Sequence, residues 1–308
     1  MATTTTGLRD STSILGDRGA LLARAADDGY LFFRDLLPRA RVLELREDIL
    51  GICRAHGWVK EGTALADGIA DADAADRIDP QEIAFCGVGI PRRAYEEVQR
   101  LESFHALAHA PALIELYGSL FNTDALPHPR HIARVMLPTR TNVPTPPHQD
   151  YIHIQGTKNV WTAWIPIGDV SRSLGGLSVL KGSQRDGLLP VKAAEGAGSL
   201  EVYLCNVDLE WLEEDYRAGD VLTFTSLTVH RSIPNRQPDR IRLSCDFRYQ
   251  PANEPIEARS LATHCDVLSW EEVYEGWTNR DLMYYWKRYD LAIADWDESI
   301  RWQKEKIC

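Results

Sequence analysis

The chain has 308 residues, and its 34 Lys+Arg against 45 Asp+Glu leave a formal net charge of −11. Apolar residues make up 44% and charged residues 26%. These are values for a folded globular protein, and they exclude a disordered chain, a collagen-like repeat and a small disulfide scaffold. The acidic balance argues against nucleic acid or an anionic membrane surface as partner, and no segment reaches the roughly 20 apolar residues that a membrane span needs.

The Thr-rich start, residues 1–12, is expected to fray. A helix is expected from Asp17 to Ala26, then a short strand in GYLFFRDLL (29–37). Pro38 opens an amphipathic helix with Val42, Leu43, Leu45, Ile49 and Leu50 on its apolar face. Residues 60–80 are rich in Gly, Ala and Asp and read as a solvated loop, with a lid over a binding site as the functional alternative. Residues 94–122 look helical, with Leu101, Leu107, Leu113, Ile114 and Leu116 as the buried stripe. From about His131 to Gln250 the pattern changes to short strand-like runs (IARVMLP, NVWTAWIPIGDV, GGLSVLKG, DVLTFTS, RIRLSCDFRYQ) punctuated by Pro, Gly, Asn and Asp. Many short strands at this spacing predict a β-sandwich or barrel. After residue 266 the chain reads as helix again, rich in Trp and Tyr (Trp270, Trp277, Tyr284, Tyr285, Trp286, Trp296, Trp302), whose spacing suits core packing or a subunit contact better than an aromatic cage. The expected fold is mainly β with flanking helices, as one domain over 1–308.

Six cysteines (Cys53, Cys86, Cys205, Cys245, Cys265, Cys308) are scattered without a Cys-x-x-Cys pair. With no signal-like apolar stretch at the amino terminus, they read as free thiols of a cytoplasmic protein.

The chemistry concentrates in PTPPHQDYIHIQG. His148 and Asp150 are two apart, so on an extended strand both side chains leave one face. An imidazole and a carboxylate presented together are two-thirds of a two-His-one-carboxylate facial triad, the donor set of non-haem Fe(II). His230, just after the strand-like GDVLTFTSLTV, supplies the third ligand. Arg240, Arg242 and Ser244 alternate along RIRLSC, and a guanidinium behind a metal suits the far carboxylate of a dicarboxylate. Other histidines carry less. His153 faces away from His148 on the same expected strand and reads as rim or surface. His105 and His109 are four apart but lack a third ligand, so they read as a packed helix face.

The order His148-Gln149-Asp150, then WTAWIPIGDVSRSLGGLSVLKGSQR (161–185), then VHRSIPNRQPDRIRLSCDFRYQ (229–250) resembles the phytanoyl-CoA dioxygenase family. Within it, the likeness is to bacterial hydroxylases of natural-product biosynthesis, and it spans roughly 28–250, leaving 266–308 as an extension. The resemblance implies a double-stranded β-helix (jelly-roll, cupin-like) core and the cofactors Fe(II), 2-oxoglutarate and O2. It makes His148, Asp150 and His230 the iron ligands, and either Arg240 or Arg242 the 2-oxoglutarate arginine. Ser232 and Trp164 match positions that touch the cosubstrate, and Arg134 a strand position facing the same pocket. One departure is Lys181-Gly182-Ser183-Gln184 where the family reads Pro-Gly-Ser-His, which puts the pocket rim in question. A retained Asp150 implies hydroxylation rather than halogenation, with release of succinate and CO2. The alternatives are desaturation, epoxidation, rearrangement or epimerisation at the same iron, and a non-enzymatic jelly-roll module that binds a ligand. The expected partner is a small organic molecule, free or carrier-bound, with Arg134 or Arg185 reading a carboxylate on it. Oligomeric state is left open.

Overall fold

The computed structural model describes residues 4–140, 143–204 and 209–301. Its strands in chain order are β1 (Thr4–Thr6), β2 (Tyr30–Phe33), β3 (Ala125–Pro127), β4 (Ile132–Met136), β5 (Trp161–Pro166), β6 (Leu177–Leu180), β7 (Val191–Ala193), β8 (Leu200–Val202), β9 (Trp211–Glu213), β10 (Val221–Thr225), β11 (His230–Ser232), β12 (Arg242–Pro251), β13 (Ile256–Glu257) and β14 (Ile293–Ala294). The larger sheet runs β2-β10-β5-β12-β3, with β4 on the same edge of β12 as β3; the smaller runs β1-β9-β6-β11. This is the β-sandwich expected from the mid-chain runs, and the jelly-roll core that the resemblance implied. Where fraying was expected, Thr4–Thr6 instead pairs in parallel with Trp211–Glu213.

The long strand β12 shows how the sandwich is built. Side chains alternate across a strand, so Leu243, Cys245, Phe247 and Tyr249 join the core shared with the helices. Arg242, Ser244, Asp246 and Arg248 turn the other way; Arg242, Asp246 and Arg248 line the cleft between the sheets, and Ser244 is hydrogen-bonded to Arg242. Cys245 therefore sits behind the sheet, away from the pocket. Between the sheets, Phe32, Trp164, Leu222 and Phe224 pack against Val179, Leu212 and Tyr216.

The outer face of the larger sheet is covered by helices. Arg39–Ala55 buries Val42, Leu45, Ile49, Leu50 and Cys53, as its period requires, and Leu43 is half-buried at the edge. The expected helix over 94–122 is three: Arg92–Gln99, Glu102–Ala108 and Pro111–Phe121. Leu101 is extended (ψ 112°), and Ala110 (ψ 131°) is held out of the helical region by the proline after it. Residues 60–80 are folded down, not loose. Asp71 and Asp79 cap short helices, Arg46 donates to the Ala66 carbonyl, and Ile69 bridges to Arg240. None of these residues lines either cavity described below.

Beyond residue 266 the chain is not the helical extension expected. Among the described residues it is a series of single turns, Trp270–Val273 being α-helical, with the short strand β14 (Ile293–Ala294), and it is held by aromatic packing: Trp270 and Trp277 lie against His105, and Tyr285 against His109. Trp302 lies outside the described residues. The cysteines also differ from expectation: Cys86 and Cys265 form a disulfide across 179 residues of sequence. Only the fold brings them together, each on a turn with positive φ, so no local spacing announces the pair. Cys53 and Cys245 are free and buried; Cys205 and Cys308 lie outside the described residues. No described helix is long and apolar enough to cross a membrane.

His105 and His131, both buried, and His109, half-buried, form a cluster under this aromatic layer. Both ring nitrogens of His131 and Nε2 of His109 are buried without hydrogen-bond partners. Burial pushes His105 down to about 3 and His109 to about 4, and burial with His105 nearby puts His131 well below its ordinary value. Unfolded, each titrates near 6.5. The unfolded chain therefore binds more protons once the pH drops below that value. Stability is complete above about pH 6.5 and is lost progressively as pH falls toward the folded-state values. The urea midpoint is expected to fall between pH 7 and pH 5. His131→Leu should flatten that dependence by about 1.4 kcal/mol per pH unit, and an unaltered slope would show that His131 is not held neutral.

Candidate metal centre and binding pocket

Three side chains meet where the two sheets open. The donor atoms of His148, Asp150 and His230 all lie within 4.8 Å of one another, and all three residues are buried. The backbone explains the convergence. His148 and His230 exchange N–H···O=C bonds of 3.0 Å in an isolated bridge, which sets their rings 4.1 Å apart. The motif is not on a strand as expected: after the bridge the chain turns, and Asp150 opens the one-turn helix Tyr151–Ile154. The same turn swings His153 back, so that its ring is 5.9 Å from His148 and lines the cavity, where an extended strand would have aimed it away.

Each histidine is held in the tautomer a metal needs. Nδ1 of His148 lies 2.8 Å from the Pro146 carbonyl and Nδ1 of His230 lies 3.0 Å from that of Thr228. A carbonyl only accepts, so both Nδ1 atoms carry the proton and both Nε2 lone pairs face the centre. Burial and the neighbouring His230 push His148 down to about 3, and burial lowers His230 as well; both imidazoles are neutral at neutral pH. Burial alone would raise Asp150, but Arg248 and the two histidines outweigh it and hold the carboxyl well below the usual range. Arg248 donates to Oδ1 at 3.2 Å and the Thr162 hydroxyl to Oδ2, which fixes the carboxylate plane. The set of two neutral imidazoles and one oriented carboxylate fits a divalent iron with open positions.

Behind the triad lies a narrow cleft lined by Thr162, Trp164, Phe224, Ser232, Arg134 and Arg242. Here the two arginine alternatives part. Arg242 starts β12 and points inward, donating to Ser244 at 2.7 Å. Arg240 precedes the strand, so the expected alternation does not reach it. Its guanidinium donates to the Asp67 carbonyl at 2.7 Å on the far side, and it is excluded from the site. Arg242 is 3% exposed, its Nε is buried without a partner, and among the described residues no carboxylate lies within 4.0 Å of it. Burial and the Arg134 charge push it down to about 10, which still leaves it charged at neutral pH. The Ser232 hydroxyl accepts from the Thr145 N–H at 2.9 Å, leaving its own proton to donate. Arg134 is at the site but committed, 2.8 Å from Asp246 and 2.8 Å from the Gly87 carbonyl. Arg185 is exposed and lines neither cavity, and Gln184 of the departed motif binds the carbonyls of Ala25 and Ala26, away from the rim.

In front of the triad an outer cavity of about 290 Å³ opens between Ile132, Ile154, Trp296, Arg130, Arg259 and the Cys86–Cys265 disulfide. Thr162, Arg248 and Asp246 were assigned no role from the sequence. Arg248 had a signal, since continuing the period of two from Arg242 puts it on the same face.

A profile of the phytanoyl-CoA dioxygenase (PhyH) family matches residues 25–243. The 1-deoxypentalenic acid 11-beta-hydroxylase of Streptomyces arenae is 27% identical over 269 residues, 82% of this chain and 88% of its own. The enzyme of the same name from Streptomyces exfoliatus is 26% identical, over 79% and 85% of the two chains. Among solved structures, the epimerase SnoN in complex with Fe3+, alpha ketoglutarate and nogalamycin RO is similar at a TM-score of 0.54 and 21% identity, covering 78% of this chain and 86% of its own. EvdO2 from Micromonospora carbonacea var. aurantiaca, complexed with 2-oxoglutarate, is similar at 0.52 and 16%, covering 83% and 96%. At these identities the structures speak for the fold.

Proposed function

This chain belongs to the phytanoyl-CoA dioxygenase family and is an Fe(II)- and 2-oxoglutarate-dependent oxygenase; on that premise we propose that it acts as one catalytic domain hydroxylating a small organic molecule of natural-product type. The observation that carries the assignment of residues is Arg242. A buried guanidinium without a carboxylate partner costs several kcal/mol, and an anion in the inner cleft removes that cost. With His148, Asp150 and His230 at the other end of the cleft, a dicarboxylate with a metal-chelating head is the ligand that satisfies both.

His148 and His230 would hold iron, with their Nε2 lone pairs free, and Asp150, whose carboxylate Arg248 and Thr162 orient, would be the third ligand. Iron bound there, with 2-oxoglutarate and O2, would supply the oxidising power, with succinate and CO2 as the coproducts. The chain's own part is placement. Arg242 grips the far carboxylate of 2-oxoglutarate, and the Ser232 hydroxyl donates beside it. Trp164, packed on Tyr216 at 4.7 Å, walls the cleft and excludes water. The outer cavity receives the organic substrate on the side of the triad away from Arg242. Asp150 keeps a carboxylate at the third ligand position, where a halide would otherwise have room, which favours hydroxylation over halogenation.

Anaerobic addition of Fe(II) and 2-oxoglutarate to apoprotein is expected to give a weak visible charge-transfer band that requires both components. Folded protein without that band would overturn the assignment of the triad and the inner cleft. Product mass then reads the reaction, since hydroxylation adds one oxygen while desaturation removes two hydrogens and epimerisation leaves mass unchanged.

A further inference from the structure

The outer cavity is lined by five arginines, Arg130, Arg134, Arg248, Arg259 and Arg301, against one carboxylate, Asp150. In a chain of net charge −11 this is a local reversal of sign, and a concave site focuses it. Three of the five have acidic partners. Arg134 is paired with Asp246 and Arg248 with Asp150. Arg259 has Nε 3.8 Å from Glu257 and its guanidinium 3.8 Å over the Trp296 ring. Arg130 has none: among the described residues no carboxylate lies within 4.0 Å of it, and its hydrogen bond is a long one, 3.5 Å to the Arg259 carbonyl. Burial and the neighbouring Arg248 charge disfavour its protonated form by more than Asp266 and Glu257, both beyond ion-pair distance, favour it, so an anion beside it gains both attraction and relief of repulsion. Ile132, Ile154 and Trp296 supply apolar surface in the same wall as His128, Thr145, His153, Ser260 and His264.

We infer that Arg130, with Arg259 held against Trp296, forms a subsite for a carboxylate carried by the organic substrate, whose apolar body packs on Ile132 and Ile154. The subsite is separate from the cosubstrate's: Arg130 does not line the inner cleft and Arg242 does not line the outer cavity. It takes the place of Arg134 and Arg185 as reader of such a group, since the Arg134 charge is already paired with Asp246 and Arg185 does not line the cavity. The inference rests on the outer cavity being the substrate chamber of the dioxygenase.

The test is calorimetric and needs no turnover. Adamantane-1-carboxylate and cyclohexanecarboxylate are titrated into the protein beside their neutral carboxamides, with and without saturating 2-oxoglutarate. The acids are expected to bind roughly tenfold or more tightly than the amides. Arg130→Gln should remove most of that preference without altering 2-oxoglutarate affinity, and Arg259→Gln should reduce it. Arg242→Ala should do the reverse, losing 2-oxoglutarate while keeping the preference for acids. Equal binding of acids and amides, undetectable binding of both included, overturns the subsite, as does a preference that survives in Arg130→Gln. Failure of 2-oxoglutarate to bind the unaltered protein would instead strike at the dioxygenase reading, and the titrations without it would still judge Arg130.

Discussion

Asp150→Ala and His148→Ala are each expected to abolish substrate oxidation and the iron-dependent band, yet to differ in what they do to the folded protein. Removing His148 deletes a neutral ring whose internal bond is to the Pro146 carbonyl, so the unfolding midpoint should move little. Removing Asp150 also strands Arg248, which is 8% exposed and whose hydrogen bond is to the lost carboxylate. Breaking one side of a buried ion pair costs about 3–5 kcal/mol, so Asp150→Ala should be visibly less stable by urea denaturation as well as inactive. Circular dichroism of both variants separates loss of metal from loss of fold. Full activity in either would refute the ligand set.

The second large effect is at Arg242. Arg242→Ala should raise the 2-oxoglutarate requirement by roughly two orders of magnitude or more, as expected for truncating one partner of a desolvated charge pair. Arg240→Ala should leave it unchanged, because Arg240 holds only the Asp67 carbonyl. A further consequence distinguishes gripping an anion from merely filling space. In the protein without cosubstrate, Arg242→Met removes an uncompensated buried cation and should cost no stability. The thermal stabilisation that 2-oxoglutarate gives the unaltered protein should vanish in the same variant. Retained stabilisation by 2-oxoglutarate would place the anion site elsewhere.

How much of this was legible beforehand divides along physical lines. The strand-rich middle and the amphipathic helix at Arg39–Ala55 follow from local period, and the triad from three residue types beside predicted strands. The tie between Arg240 and Arg242 depended on where β12 begins. A β-bridge to Ile69 decides that, and it is a long-range contact that no local pattern carries. His153 was aimed the wrong way because a single helical turn, Tyr151–Ile154, follows Asp150 where alternation predicted a strand. The Cys86–Cys265 pair and the arginines of the outer cavity come from segments more than a hundred residues apart. Their meeting is a property of topology alone. Arg248 was the avoidable omission: the period of two that placed Arg242 and Ser244 on one face runs on through Asp246 to Arg248.

Strand β12 carries one further consequence, for how such a protein can change. Arg242, proposed to hold the cosubstrate, and Arg248, which orients the Asp150 carboxylate, ride on one face of a single strand paired along both edges. A one-residue insertion there would turn four inward polar groups into the helical core and four core groups into the cleft at once. The chamber in front shares a wall with the sheet through Ile132, Arg134 and Arg248, but the rest of it is assembled from the turn at Cys86, the loop at Ala197–Gly198, and the short turns around Arg259, Cys265 and Trp296. Loops of that kind tolerate lengthening and exchange. The oxidising end is therefore inherited as an indivisible block, while the recognising end is open to revision piece by piece. New substrates are reachable on this scaffold without touching the residues that make it an oxygenase.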